Sequence, residues 1–157
     1  MEWHLTDYQL REASLEDLAR LLKLEQNIID SERPYYSFIK ATDVTYYDID
    51  NLIRSPESRV VLVESDNEVV GCGYAQIRAS KPCHTHSHHC YLGFIYLEPD
   101  YRGKALGQRV IDDLTHWGKE QGLAHFHLDV FTENESAIRA YEKAGFSKVT
   151  TMMELVL

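Results

Sequence analysis

Between Leu97 and Gln108 the chain reads LEPDYRGKALGQ, a stretch whose residue types could do chemistry on an anion. Gly103 and Gly107 let a ligand approach the main chain with no side chain between, and Arg102 supplies a cation. The amphipathic run that begins near Lys104 would present the unpaired N–H groups and positive dipole end of a helix N-terminus. A phosphate is the natural guest, although a plain tight strand-to-helix connection would use the same two glycines. A second stretch, KPCHTHSHHC, brings Cys83, His84, His86, His88, His89 and Cys90 into one short connection. Alternate imidazoles share a side of an extended chain and would suit zinc or nickel. No Cys-x-x-Cys framework accompanies them, so no metal is expected.

The elements that must hold these groups follow from periodicity. Tyr8 to Glu12 reads as a short strand, and Ser14 with Asp17 three positions on reads as a helix start. Leu15, Leu18, Leu21, Leu22, Ile28 and Ile29 then trace the apolar stripe of a core helix. Residues 31–50 are irregular and aromatic, with Pro34, Tyr35, Tyr36, Phe38, Tyr46 and Tyr47 either pinning a loop to the core or lining a cleft. Val60 to Glu64 and Val69 to Arg78 form a hairpin about Asp66-Asn67. Gly71 and Gly73 lack the third glycine and following helix of a dinucleotide fingerprint and mark a bulge or close packing instead. The run His88 to Leu97 is a central strand, with Leu92, Phe94 and Tyr96 expected on one face and Tyr91, Ile95 and Leu97 on the other. A helix from Ala105 carries Leu106, Val110, Leu114 and Trp117 inward and closes at Gly122. Ala124 to Phe131 reads as a strand with His125, His127 and Asp129 on its polar face. Asn134 to Ala144 is a short helix ending at Gly145, and Phe146 onward, KVTTMMELVL, reads as a last strand.

Composition narrows the class. At 157 residues with 44% hydrophobic and 26% charged residues, the chain fits a single domain, 1–157, with its own core. A net charge of −9 argues against nucleic acid as a partner and favours a cationic one. No run approaches the roughly 20 apolar residues of a membrane span, so no membrane partner is expected. Three cysteines and an opening MEWHLTDYQL without basic or apolar leader regions predict a reduced, cytoplasmic setting.

Two separated motifs, IYLEPDYRGKALG and LDVFTENESAIRAYEKAGF, together resemble the GNAT superfamily of acetyl-CoA-dependent N-acetyltransferases over roughly residues 88–148. The resemblance implies an α/β (α+β) fold: a central mixed, mostly antiparallel sheet of about six or seven strands flanked by about four helices. It implies acetyl-CoA as co-substrate, its pantetheine arm beside Ile95, Tyr96 and Leu97. The pyrophosphate would lie on Arg102, Gly103, Lys104, Ala105, Leu106 and Gly107. The family usually has glycine where this chain has Ala105, which implies weaker or displaced phosphate contacts. Asn134 resembles a cofactor-contacting asparagine, and Tyr141 the tyrosine that faces the thioester sulfur. In this fold the connection before the central strand borders the acceptor, which would put the histidines there.

Acetyl transfer needs a neutral amine, a polarised carbonyl and a proton for the thiolate. An alkylamine of pKa ~10.4 is only about one part in a thousand neutral at pH 7, so its proton must be taken or its charge desolvated. Tyr141 is the candidate acid. Asp129 is the candidate base, where one branch of the superfamily has a glutamate; another branch has one on the preceding strand, at Tyr91. His89, His127 and Glu98 could serve through a water. The reading is acetyl transfer to a primary amine of a small cationic molecule. The alternatives are a protein or peptide N-terminal or lysine acetyltransferase, and a non-catalytic CoA- or metal-binding sensor. A homodimer through exposed strands is expected by analogy alone.

Overall fold

The computed structural model describes residues 8–157. The opening residues 1–7, and with them the reading of a missing leader, lie outside the described part. In chain order the elements are β1 (Tyr8–Glu12), α1 (Leu18–Glu32), α2 (Ile49–Arg54), β2 (Ser58–Ser65), β3 (Glu68–Ala79), β4 (His88–Leu97), α3 (Leu106–Glu120), β5 (Phe126–His127) and α4 (Glu135–Lys143). The strands lie in the order β1-β2-β3-β4-β5, antiparallel except for the parallel β4–β5 pair. The sheet is mixed and mostly antiparallel, as expected, but has five strands among the described residues rather than six or seven.

Local chemistry explains the elements. Asp66 and Asn67 both take positive φ, 50° and 66°, the tight-turn geometry that suits the twist of the β2–β3 hairpin. A short 3₁₀ turn, Leu15–Asp17, leads into α1, and the Asp17 carboxylate accepts from the Ser14 N–H at 2.8 Å. Gly122 and Gly145, at φ 84° and 104°, follow the ends of α3 and α4. Leu21, Leu24 and Ile28 of α1 join Leu52, Val60, Leu62 and Cys72 in one core layer. Val110, Ile111 and Leu114 of α3 pack with Val61, Val63 and Leu92 in the other. Alternation along β2 thus feeds two cores, one on each face of the sheet.

Three expectations need correction. Leu15 and Leu22 are exposed, so the α1 stripe is narrower than its leucines suggest, and Glu25 is fully buried on it instead. The strand expected over Ala124–Phe131 is reduced to Phe126–His127, because pairing with β4 stops at Tyr91↔His127. The segment from Phe146 onward forms no strand: residues 147–157 carry no regular structure, and residues 147–157 are exposed throughout.

The faces of β4 also differ from a plain alternation. Gly93 pairs with Tyr74 and Tyr96 with Cys72, so Phe94 and Ile95 stand opposite Gly73 alone. This is a bulge, and Phe94 sits at φ 53° within it. Before it, Cys90 and Leu92 face α3; after it, Ile95 and Leu97 do, while Phe94 and Tyr96 turn toward α1. Parity flips by one residue. Gly71 and Gly73 are required by the same crowding: a Cβ on Gly71 would lie 2.7 Å from the Tyr96 carbonyl oxygen, and one on Gly73 2.6 Å from Val110 Cγ1.

Candidate active site

The bulge opens the sheet. Beyond Tyr91↔His127 no further residue of β4 pairs with β5, so the side of Ile95, Tyr96 and Leu97 that looks toward β5 meets a gap between diverging strands. Opposite, those residues stay anchored to β3 through Cys72↔Tyr96 and Gly71↔Leu97, and Glu98 N–H donates to the Val70 carbonyl at 2.8 Å. At the mouth of the gap lies the turn 102–107. Gly103 takes φ 75°, and a Cβ placed on Gly103 or Gly107 would meet nothing within 4 Å, so the backbone here is open to a guest. α3 starts at Leu106 with no side-chain cap, which leaves the first-turn N–H groups of Leu106, Gly107 and Gln108 without intrahelical partners. That is a site for an anion.

Two residues of this turn behave differently from expectation. The Arg102 guanidinium folds back: its Nε donates to the Leu97 carbonyl at 2.9 Å and its plane lies 5.4 Å from the Tyr96 ring. It braces the turn rather than reaching outward. Ala105, the N-cap of α3, is held at φ 60°, a left-handed conformation that glycine adopts freely and alanine does not. The departure from the family pattern therefore acts through backbone conformation as well as through a methyl group.

α4 walls the gap from the other side. Gln108 Nε2 donates to the Ala140 carbonyl at 3.0 Å, tying the start of α3 to α4. Asn134 caps α4, its Oδ1 accepting from Ala137 N–H at 3.2 Å, so a ligand contact would have to come from its Nδ2. Tyr141 is half-buried with its ring edge-on to Phe146, centroids 6.2 Å apart. Burial, followed by the charge of Glu32, pushes its phenol up to about 12. It holds its proton at neutral pH.

Glu32, the last residue of α1, carried no sequence signal, yet its charge acts on Tyr46, Tyr47 and Tyr141. Burial holds its own carboxyl above the usual range. From there a row of rings runs along the core layer beneath α1: Tyr47 lies edge-on to Tyr74 at 5.6 Å, and Tyr74 is 6.3 Å from Tyr91. The row ends where the Tyr91 hydroxyl donates to Asp129 Oδ2 at 2.7 Å, with Arg78 stacked 3.7 Å over the same ring. Tyr47 is fixed from beneath by Phe94 at 4.7 Å and from its backbone by Glu25, whose Oε2 accepts from Tyr46 and Tyr47 N–H, each at 2.9 Å. Glu98 is elsewhere, held by Asn27 at 2.9 Å on the α1 side.

The histidines gather at the β4–β5 junction. His86 stacks on His125 with centroids 3.7 Å apart, and His89 on His127 at 4.3 Å. Ser80 Oγ lies 2.9 Å from His89 Nδ1, and both ring nitrogens of His86 are buried without a hydrogen-bond partner. Burial and the neighbouring imidazoles hold His86 and His89 below the usual range. Among the described residues no group of His, Cys, Asp or Glu is arranged to hold a metal ion.

A sheet opened by a bulge, with an anion-receiving turn at its mouth and a half-buried phenol on the facing helix, fits a transferase that takes its group from a phosphate-bearing carrier. The chain belongs to the acetyltransferase (GNAT) family, whose model matches residues 25–146. These enzymes use acetyl-CoA as co-substrate. Spermidine N(1)-acetyltransferase of Escherichia coli K12 is 30% identical over 144 residues, covering 88% of this chain and 72% of that protein. The N-acetyltransferase YobR of Bacillus subtilis, itself uncharacterized, is 39% identical over 59 residues, which is 38% of this chain but 24% of YobR. In fold, the chain is similar to a predicted acetyltransferase of Clostridium acetobutylicum solved with acetyl-CoA. The TM-score is 0.79 at 19% identity, covering 95% of this chain and 96% of that one.

Proposed function

We propose that this chain, acting as a single domain in a reducing cytoplasm, moves an acetyl group from acetyl-CoA to a primary amine of a small cationic molecule. The observation that carries the acceptor class is the ring row Tyr47, Tyr74, Tyr91 with a carboxylate at each end, Glu32 and Asp129. Carboxylates attract ammonium groups, and two acidic ends suit a molecule with more than one. The named activity of the spermidine relative supports the same class.

Bound acetyl-CoA supplies an activated acyl carbon and a thiolate leaving group. For the chain's own part, the first-turn N–H groups of α3, with the backbone of Gly103, Lys104 and Ala105, receive the pyrophosphate, and Arg102 keeps that turn in shape. The edge of Ile95, Tyr96 and Leu97 pairs with the pantetheine amides, and a main-chain N–H near Leu97 takes the charge developing on the carbonyl oxygen. Asp129, oriented by Tyr91, removes a proton from the ammonium so that its nitrogen can attack, while Glu32 pairs with the remaining charge. As the C–S bond breaks, Tyr141 gives its proton to the sulfur and recovers one from solvent. A phenol pushed up to about 12 keeps its proton until the thiolate forms beside it, so departure and proton transfer go together. Positioning can contribute ~7–11 kcal/mol, more than acid–base help alone.

Acetyl-CoA-dependent thiol release with pooled polyamines, aminoglycosides, amino acids and short peptides tests the reading, with binding followed by thermal shift. Saturable turnover with a polycation is expected. Preference for peptides would replace the acceptor class, and stabilisation by acetyl-CoA without turnover on any pool would favour a sensor.

A further inference from the structure

No step of the proposed reaction uses the imidazoles that meet where β4 and β5 touch. They come from three segments: His84 and His86 of the 80–87 connection, His89 of β4, and His125 and His127 on the chain entering and forming β5. His86 stands ring to ring with the other four, stacked on His125 at 3.7 Å, 5.2 Å from His84, and edge-on to His127 at 6.0 Å and His89 at 6.4 Å. Such a stack suits neutral rings. An imidazolium needs acceptors for both N–H groups, and both His86 nitrogens are buried without a partner. A proton on each ring of the His86–His125 pair would set like charges face to face.

The surrounding groups would not offset that charge. β3 sets Arg78, itself a cation, in register with His89. The connection brings Lys81 and the exposed Cys83, and His88 at the start of β4 turns aside to Ser87. Beyond β5, the Asp129 carboxylate is engaged by the Tyr91 hydroxyl. Among the described residues the histidine in an ion pair is His116 of α3, with Glu120, and none of the five has a carboxylate at that distance. The junction they cover is thin. β4 and β5 pair only at Cys90↔Phe126 and Tyr91↔His127, and Cys90 N–H donates to the His125 carbonyl at 2.8 Å. On the α3 face Phe126 packs beside Gly118; on the other face the His89–His127 stack joins the two strands.

We propose that this cluster is a pH-sensitive clasp: protonation of more than one of its imidazoles breaks the stack, parts β5 from β4 and lowers the affinity for acetyl-CoA. The proposal rests on the reading of the gap beside Ile95, Tyr96 and Leu97 as the cofactor slot, of which β5 begins one wall. The sign agrees with the environment of the rings. Burial and neighbouring cations hold His86 and His89 below their ordinary 6.5, so the closed junction is favoured above that value and loses its advantage as pH falls. By reciprocity, acetyl-CoA bound to the closed junction makes the same rings harder to protonate.

Calorimetric titration of acetyl-CoA into the full chain and into the variant His86→Gln/His125→Gln, at about pH 7.5 and about pH 5.5 with a chelator present throughout, tests it. The comparison cancels the titration of the ligand's own phosphates. The two proteins should match at the higher pH, and wild-type affinity should fall at least about tenfold further than the variant's at the lower. Hydrogen exchange on ligand-free wild type is the second readout: the Cys90 amide, corrected for intrinsic rates, should lose at least about tenfold of its protection at the lower pH. An amide that stays protected would overturn the clasp and leave the cofactor slot as read. An amide that opens while acetyl-CoA affinity follows the variant's would overturn the clasp and the slot together. Should the double variant fail to fold, His86→Gln alone removes the ring that all the others meet, and the wild-type exchange still decides.

Discussion

The two halves of the cleft are made of different material. The half proposed for the cofactor is main chain: a bulge, a left-handed turn and a helix start, all within Gly93 to Gln108. The half proposed for the acceptor is side chain, assembled from Glu25 and Glu32 of α1, Tyr46 and Tyr47 of the connection, Tyr74 of β3, Tyr91 of β4 and Asp129 after β5. Main-chain recognition suits a ligand that every family member shares, since it depends on shape and not on residue identity. Side-chain recognition can be rewritten position by position, which is how one fold serves many acceptors.

If the division is right, the two halves should break in different ways. The largest effect is expected where they meet: Tyr141→Phe should lower kcat by about 10²- to 10⁴-fold with acetyl-CoA binding intact. Full turnover would remove Tyr141 as the acid. Next come the carboxylates. Asp129→Asn should lower kcat with KM for acetyl-CoA little changed, whereas Glu32→Gln should raise KM for a polycation more than it lowers kcat; an exchange of these outcomes would exchange the two roles. Glu32→Gln should also stabilise the fold at neutral pH. A carboxyl held above its ordinary 4.5 favours folding below that value and loses the advantage as pH rises, and glutamine removes the loss.

In the cofactor half the backbone is the target. Gly71→Ala would press a methyl onto the Tyr96 carbonyl and should cost about 1–3 kcal/mol in chemical denaturation while weakening acetyl-CoA binding. Ala105→Gly should act in the opposite sense, relieving about 1 kcal/mol of left-handed strain and tightening acetyl-CoA, readable by titration calorimetry. The smallest effect belongs to the histidine junction. His86 and His89 bind a proton less readily folded than unfolded, so stability should hold above their ordinary 6.5 and decline as pH falls below it. Melting temperatures of wild type and His86→Gln between pH 7 and 5 should therefore diverge, the variant falling less.

What could be read from sequence follows the same division. The turn 102–107, the ends of α3 and α4 and the Asp66-Asn67 hairpin announce themselves because glycine, asparagine and proline report backbone conformation directly. Glu25 and Glu32 announce nothing: on a helix they look like any solvent-facing acid, and only the fold makes one the anchor of Tyr46 and Tyr47 N–H and sets the other's charge near Tyr46, Tyr47 and Tyr141. Alternation misplaces the faces of β4 because it assumes an unbroken ladder, and Phe94 carries no mark of the left-handed conformation it adopts. The composition of Phe146 onward reads as a strand, but pairing is a property of two segments, and this one forms no strand among the described residues.

The bulge at Phe94 and Ile95 has a consequence for how this cleft could be lost or redesigned. The gap arises from a count, two residues facing one, and not from the identity of either. Substituting Phe94 would change the strain and the packing on Tyr47 but leave the surplus residue in place. Removing one codon there would rephase everything downstream to Leu97, let β4 run straight, and invite β5 to zip shut along the slot proposed for the cofactor. Gene-level insertions and deletions, usually tolerated at loops and fatal inside strands, are here the natural currency of the active site.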